Sequence, residues 1–383
     1  MSHAQNAPAI RSRQPGLCQR RANLAILLPL LSLLFETAWF QAEAASPAAS
    51  FIDKKITATD GVQLRKSVIS SPPKPPVGTA LQRAAVSAAI VPSKLMGINT
   101  LTAPALDWFF GCSATSAAMI AGYYDRNGFS NIYTGPANGG VMPLDNSSWP
   151  AWTDAYGTSY SQCPLTASRN GLDGRTTRGS MDDYWTQYGH TGSDPYLAQG
   201  VNQHAWGSAI GDYMKTSQSA YENTDGSTTF YNYMSQAKPL TCSSMASYGI
   251  SSADGTYGRK LFYEAKGYTV TDCYNQLTDN KITGGFSFAQ YMAEIDAGRP
   301  VMLNLEGHTI VGVGYNSSTS TVYLHDTWDN SVHTMTWGSR YADMLLYSVS
   351  IVNLQPQATE TPDTGTTPTT GVSQPWLFLL LKY

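Results

Sequence analysis

Apolar positions recur at helical spacing just after Cys112: Ala114, Ala117, Ala118, Ala121 and Tyr124 fall on one 3.6-residue repeat, and Asn127-Gly128 supplies a stop. The pattern predicts a helix with Cys112 at its N-terminus. A second helical pattern covers 286–297 through Phe286, Phe288, Tyr291 and Ile295, closed by Gly298 and Arg299-Pro300. Strand patterns then follow at 301–305, 308–315 and 321–326, near 333–337 and at 347–352, with a turn at 316–320. Between 129 and 260 long apolar runs are scarce, and Gly, Asn, Asp, Tyr and Ser dominate. That stretch reads as loops with short helices, such as 179–188 and 196–213. Upstream, Phe51 to Lys66 reads as a short hairpin around Asp60-Gly61, and Ser70 to Pro76 favours extended polyproline geometry. One globular unit thus runs from about residue 96 to 354, with a helix first and an antiparallel sheet last, which is an α+β plan.

The ends have a different character. Arg11, Arg13, Arg20 and Arg21 precede an apolar run from Ala22 to Phe35, and Ala42-Glu43-Ala44 follows. Basic region, apolar core and Ala-x-Ala site together predict a signal peptide over 1–44, cleaved near Ala44, and a product secreted or held in a bacterial envelope. The apolar run is shorter than the roughly 20 residues of a spanning helix, so no stable membrane span is expected after cleavage. Residues 45–95 fit either a linker or a propeptide covering the site. Residues 355–383 form a Thr/Pro-rich tail, expected to be disordered, with a short apolar end.

Composition narrows the partners. Charged residues make up 13 % of the chain, the formal net charge is −3, and no basic stripe occurs in the mature part. Phosphate recognition needs clustered Lys and Arg, which excludes nucleic acid as the expected partner. Of the five cysteines, Cys18 leaves with the signal. With Cys112 kept as a thiol, Cys163, Cys242 and Cys273 allow one bridge, whose pairing spacing does not fix. No C-x-x-C or H-x-x-x-H pair occurs, so neither a metal nor a cofactor is expected.

Three residues carry candidate chemistry. At a helix N-terminus the unpaired N–H groups and the dipole favour a thiolate at Cys112 and would hold an oxyanion. A small buried Cys on an alanine-rich helix also occurs for packing alone. His308 opens a strand beside Gly307, where an imidazole can face a cleft as a base. Pairing 308–315 with 321–328 across the 316–320 turn sets Asp326 opposite Ile310, on the face of His308 and within its reach. A turn-capping carboxylate is the simpler role for such an Asp. The remaining histidines, His190, His204, His325 and His333, read as surface or hydrogen-bonded structural residues, with His190 and His204 placed where they could line a groove. Asp182-Asp183 beside Trp185 reads as a helix cap, with a calcium or amine site as the alternative.

The order Cys on a helix, Gly307-His308-Thr309-Ile310-Val311-Gly312-Val313-Gly314-Tyr315 on a strand, then His325-Asp326-Thr327-Trp328 resembles the papain-like cysteine peptidases. Within them, Asp107 to Met119 is most similar to the nucleophile helix of bacterial double-glycine-leader peptidases and their secreted relatives. The resemblance covers about 100–130 and 285–352. It implies a papain-like fold, a Cys112–His308–Asp326 triad, a peptide or protein substrate and no cofactor. Two departures stand out. The family's oxyanion Gln, about six residues before the Cys, is missing; a protonated Asp107 or backbone N–H groups alone would have to serve. Cys112 and His308 also lie 196 residues apart, beyond the roughly 130–150 of papain, which implies an insertion at about 135–260. The expected function is an exported cysteine peptidase. The alternatives are an amidase or acyl transferase using the same triad, and a non-catalytic surface-binding module on a degenerate scaffold.

Overall fold

The computed structural model describes residues 50–71, 97–153 and 209–356 almost throughout, with short pieces at 74–81 and 159–167. The expected signal segment and tail, Asp182-Asp183, His190 and His204 lie outside the described residues.

The chain opens with β1 (Ser50–Thr57) and β2 (Gln63–Ser70), which pair antiparallel from Ser50 opposite Ser70 to Thr57 opposite Gln63. The connecting turn is the one Asp60-Gly61 predicts: Gly61 takes φ 85°, and the Asp60 carboxylate accepts from Val62 N. Next come β3 (Ile98–Thr100), α1 (Cys112–Arg126), β4 (Trp152–Thr153), β5 (Ser159–Tyr160) and α2 (Ile210–Tyr213). The middle of the chain is more regular than its composition suggests. It holds β6 (Thr228–Tyr233), β7 (Leu240–Thr241), α3 (Cys242–Ser247), α4 (Gly255–Ala265) and β8 (Val270–Leu277). The C-terminal part is α5 (Phe288–Asp296), β9 (Val301–Leu305), β10 (His308–Asn316), β11 (Thr321–His325), β12 (His333–Thr336), β13 (Arg340–Tyr341) and β14 (Met344–Leu354).

A nine-stranded sheet runs β12-β11-β10-β9-β14-β8-β7, with β3 beside β10 and β13 beside β14. A smaller sheet runs β1-β2-β6. Both faces of the large sheet are covered, and its strands alternate accordingly. Met302, Val311 and Val313 pack in the core that contains α1. Leu303, Leu305, Ile310 and Leu324 pack in the core that contains Tyr291 and Ile295 of α5. Gly312 makes that second packing feasible, because a Cβ there would lie 2.6 Å from the Tyr291 ring. The Tyr291 hydroxyl then donates to Gly314 O at 2.7 Å.

α1 is buried from Cys112 to Asp125, and its small residues let it pack against β10, β9, α2 and β2. α5 starts where the sequence indicates, on a capping box in which Ser287 and Gln290 bond reciprocally. The Cys242–Cys273 disulfide ties the first residue of α3 to β8, while Cys112 and Cys163 are free and buried. Burial pushes the Cys163 thiol up to about 11. Among the described residues no helix is long and apolar enough to cross a membrane.

Candidate active site

The backbone before α1 is bent to deliver Cys112. Phe110 has φ 52° and Gly111 φ 142°, and Thr115 locks the bend. Its Oγ1 donates to Gly111 O at 2.9 Å and accepts from Phe109 N at 3.1 Å. A side chain at Gly111 has no room: a Cβ would lie 2.6 Å from Thr216 Cγ2 and 2.7 Å from Gly226 O. Cys112 is therefore the first helical residue, with the unpaired N–H groups of the first turn around it.

β10 brings His308 to the same place. Ser113 Oγ and Thr309 Oγ1 lie 2.7 Å apart, and Ser116 Oγ donates to Thr309 O at 3.0 Å. The chain neighbours of the two candidate residues are thus hydrogen-bonded across the 196-residue gap. Cys112 and His308 are both fully buried. Among the described residues no hydrogen bond joins Cys112 Sγ to the ring.

The ring is held on three sides. Nε2 lies 2.6 Å from Asp326 O and Nδ1 lies 2.6 Å from Ser71 Oγ. A carbonyl oxygen only accepts, so Nε2 carries the proton and the neutral ring has its lone pair on Nδ1, into which Ser71 donates. Trp328 stacks on the imidazole at 4.0 Å with 3° between planes. Burial pulls the His308 pKa down to about 3, with the bond to Asp326 O opposing weakly.

Asp326 reaches the ring with its main chain rather than its carboxylate. The register at this end is the expected one, with Val311 opposite His325. A bulge between Gly312 and Gly314 shifts only the turn end. β11 stops at His325, and the chain turns back through Thr327 at φ 67°. The Asp326 carboxylate caps that turn: Oδ1 accepts from Trp328 N at 3.0 Å, and Oδ2 from Tyr341 Oη at 2.6 Å. The structure therefore places it in the turn-capping role, and its carbonyl takes the place expected for its side chain.

Behind Asp326, His333 Nε2 lies 2.9 Å from Asp329 Oδ1 and 3.4 Å from Asp326 Oδ2. Burial pushes the Asp326 carboxyl above its ordinary range, with His333 and Tyr341 opposing. Burial also acts on Asp329, but the bonds from His333 and Ser331 bring it below the usual value. One ligand atom each from Asp326, Asp329 and His333 all lie within 4.8 Å of one another, close enough to share a cation. A metal on Nε2 would leave a proton on Nδ1, and that atom is buried with no acceptor. The donor set fits a hydrogen-bond relay better than a metal centre. His325 is also buried and bonded, with Nδ1 3.3 Å from Ser331 O.

Asp107 accepts from Ser161 Oγ at 2.7 Å and faces a cleft lined by Asp145, Asn146, Trp149 and Asn330. No hydrogen bond joins it to Cys112 or His308 among the described residues. Its neighbour Trp108 packs beside the bend that precedes α1. The edge of that indole and Gly111 both pack against Gly226, and Nε1–H is buried with no acceptor. Sequence reasoning missed the roles of Ser71, Trp108, Trp328 and Tyr341, while His333 is hydrogen-bonded as expected. Only Trp328 carried a signal, being two residues past Asp326.

No curated protein and no solved structure matches the chain. A family model does: it spans residues 99–344, from β3 through α1 and the His308 strand to the start of β14. The chain, with its helix-borne Cys112 followed by a large antiparallel sheet bearing His308, belongs to the Peptidase_C39 like family.

Proposed function

We propose that the protein is an exported cysteine peptidase that cleaves peptide bonds through Cys112 and His308, with Asp326 as the residue that orients the base. One observation carries this reading: the Ser113–Thr309 contact sets the start of α1 against the start of β10, and the lone pair of His308 lies on the nitrogen suited to take a thiol proton.

In the first step Nδ1 takes the proton from Cys112 Sγ, and the thiolate attacks the substrate carbonyl carbon. First-turn N–H groups of α1 hold the oxyanion, with the Trp108 Nε1–H as a second donor in place of the missing Gln. The C–N bond breaks as Nδ1–H protonates the leaving amine. Water then gives a proton to Nδ1 and attacks the thioester, and the C–S bond breaks to release the acid. The Asp326 carbonyl keeps the proton on Nε2 throughout, and the stacked Trp328 ring fixes the imidazole plane. The Cys242–Cys273 bond suits the oxidising compartment that a signal over 1–44 implies.

An amidase or acyl transferase shares the first half-reaction and differs only in the acceptor. The test is hydrolysis of fluorescent casein and reaction with a peptidyl vinyl sulfone, compared between each folded form that shows them and the same form carrying Cys112→Ala. Loss of both with an unchanged melting temperature is expected. Hydrolysis that survives Cys112→Ala would overturn the proposal. So would its absence from every folded form in which Cys112 reacts freely with iodoacetamide.

A further inference from the structure

The base in this structure is already occupied. The lone pair of His308 receives the Ser71 hydroxyl, and Ser71 is 2 % exposed. The two residues lie 237 positions apart in the chain. Ser71 directly follows β2, and β2 is anchored along its length. It pairs with β6 from Leu64 opposite Tyr233 to Ile69 opposite Thr228. Ile69 is fully buried in the same apolar cluster as Cys112, Phe109 and Phe110. Lys66 Nζ is 2.6 Å from Glu222, and Ser67 Oγ is 3.2 Å from Tyr347 Oη. Past Ser71 the chain reads Pro72-Pro73, which cannot continue a ladder.

A thiol that attacks a peptide needs an extended backbone laid past it and an unoccupied base. Here the chain itself supplies an extended backbone and, through Ser71, fills the base. We infer that the β1–β2 hairpin is an intramolecular occupant of the active site: residues 67–71 lie where an extended polypeptide substrate lies, β6 is the edge on which such a segment adds as a strand, and the enzyme is latent while the hairpin is docked. Among the described residues β6 pairs with β2 alone in its sheet, so displacement of β2 leaves a row of N–H and C=O groups of the kind that captures extended peptides. The inference rests on the peptidase reading for the identity of the substrate. The occlusion itself rests only on the contacts above.

The test separates the two. Ile69→Asp places a carboxylate in the apolar cluster that contains Cys112 and drives the end of β2 out. Where that variant does not fold, Lys66→Glu, which sets a second negative charge on Glu222, is read instead. In the full-length chain, without reductant, the rate of Cys112 alkylation by iodoacetamide is followed on its proteolytic peptide. Alkylation at least tenfold faster than in the parent is expected, as is slowing of that reaction by a synthetic peptide of residues 62–71. A parent thiol that already reacts at the rate of the urea-unfolded chain overturns the inference. A folded variant with unchanged alkylation, or no effect of the peptide, does so too. Faster alkylation without any rise in casein hydrolysis upholds the occlusion and sinks the peptidase reading.

Discussion

Asp326 offers the sharpest test of how the base is positioned. Its carboxylate accepts from Trp328 N and Tyr341 Oη, while the ring of His308 meets its carbonyl. In Asp326→Asn the amide oxygen still serves Trp328 N, and the carbonyl is untouched. What is lost is the charge on the Tyr341 and His333 bonds, a cost of about 1–2 kcal/mol in stability. Turnover should fall less than about tenfold, because the tautomer of His308 is still set by the main chain. A carboxylate that touched the ring would behave differently, since amidating such a group costs about 10⁴-fold. Asp326→Ala should be far worse, leaving Trp328 N and Tyr341 Oη unpaired at about 1–3 kcal/mol each and releasing the turn that aims the carbonyl. The assay is casein hydrolysis and the pH profile of Cys112 alkylation in the Ile69→Asp background, with urea midpoints for stability. A loss of 10³-fold or more in Asp326→Asn at unchanged midpoint would refute the main-chain argument and restore the direct triad.

Other perturbations follow from single contacts. Trp108→Phe removes Nε1–H together with part of the buried ring that packs on Gly226; about a 10²-fold loss of kcat is expected alongside a modestly lowered melting temperature, and full activity in the folded variant would remove Trp108 from the oxyanion site. Gly111→Ala meets Gly226 O at 2.7 Å in a φ range that glycine favours; calorimetry should show a loss above about 2 kcal/mol. Cys242→Ser opens a loop of 31 residues, worth about 3–4 kcal/mol by chain entropy and measurable as a lowered urea midpoint. Burial lowers His308 to about 3 and His325 to about 4. Both are neutral when folded while the unfolded chain takes up protons, so their stabilisation is complete above about pH 6.5 and is lost as pH falls toward 3–4. Each histidine costs about 1.4 kcal/mol per pH unit crossed. Asp254, pushed up to about 6 by burial, works in the opposite sense, its contribution fading as pH rises through 6. Asp326, also raised by burial, acts in the same sense as Asp254, so the clean window is the one above the raised Asp254: urea midpoints should fall from pH 7 to pH 6, and equal midpoints there would contradict the burial of the two neutral imidazoles.

Much of this was legible where apolar periodicity was clean. α1 begins at Cys112 and stops before Asn127 because alanines mark the helix and Asn-Gly ends it. β9, β10 and β11 fall within a residue of their apolar runs, since both faces of that sheet are buried. The middle was harder. β6 buries Thr, Phe, Tyr and Asn side by side, so its burial leaves no alternation to read. α4 carries two glycines and resembles a loop in composition, although Asp254 caps it firmly through Thr256 N and Tyr257 N. β8 mixes Asp, Asn and Gln with its apolar residues and is visible only through its pairing with β14 and β7. At the site, strand alternation located Asp326 but not the direction of its carboxylate, which depends on where β11 ends and on Tyr341, fifteen residues further on. Ser71 was beyond reach of any local pattern, because a contact spanning 237 residues leaves no trace in spacing.

The span between nucleophile and base also bears on the order of folding. β1 and β2 close through a five-residue connection and can zip within microseconds. Cys112 and His308 can meet only after almost two hundred intervening residues have been gathered, a high-contact-order step that comes late. A chain emerging from the ribosome or a translocon therefore carries its thiol long before it carries a base, and the strand that will cover the thiol is ready before either. On the proposed peptidase reading, the pairing of thiol and base is then the last feature of the site to form, and it forms with the covering strand already in place.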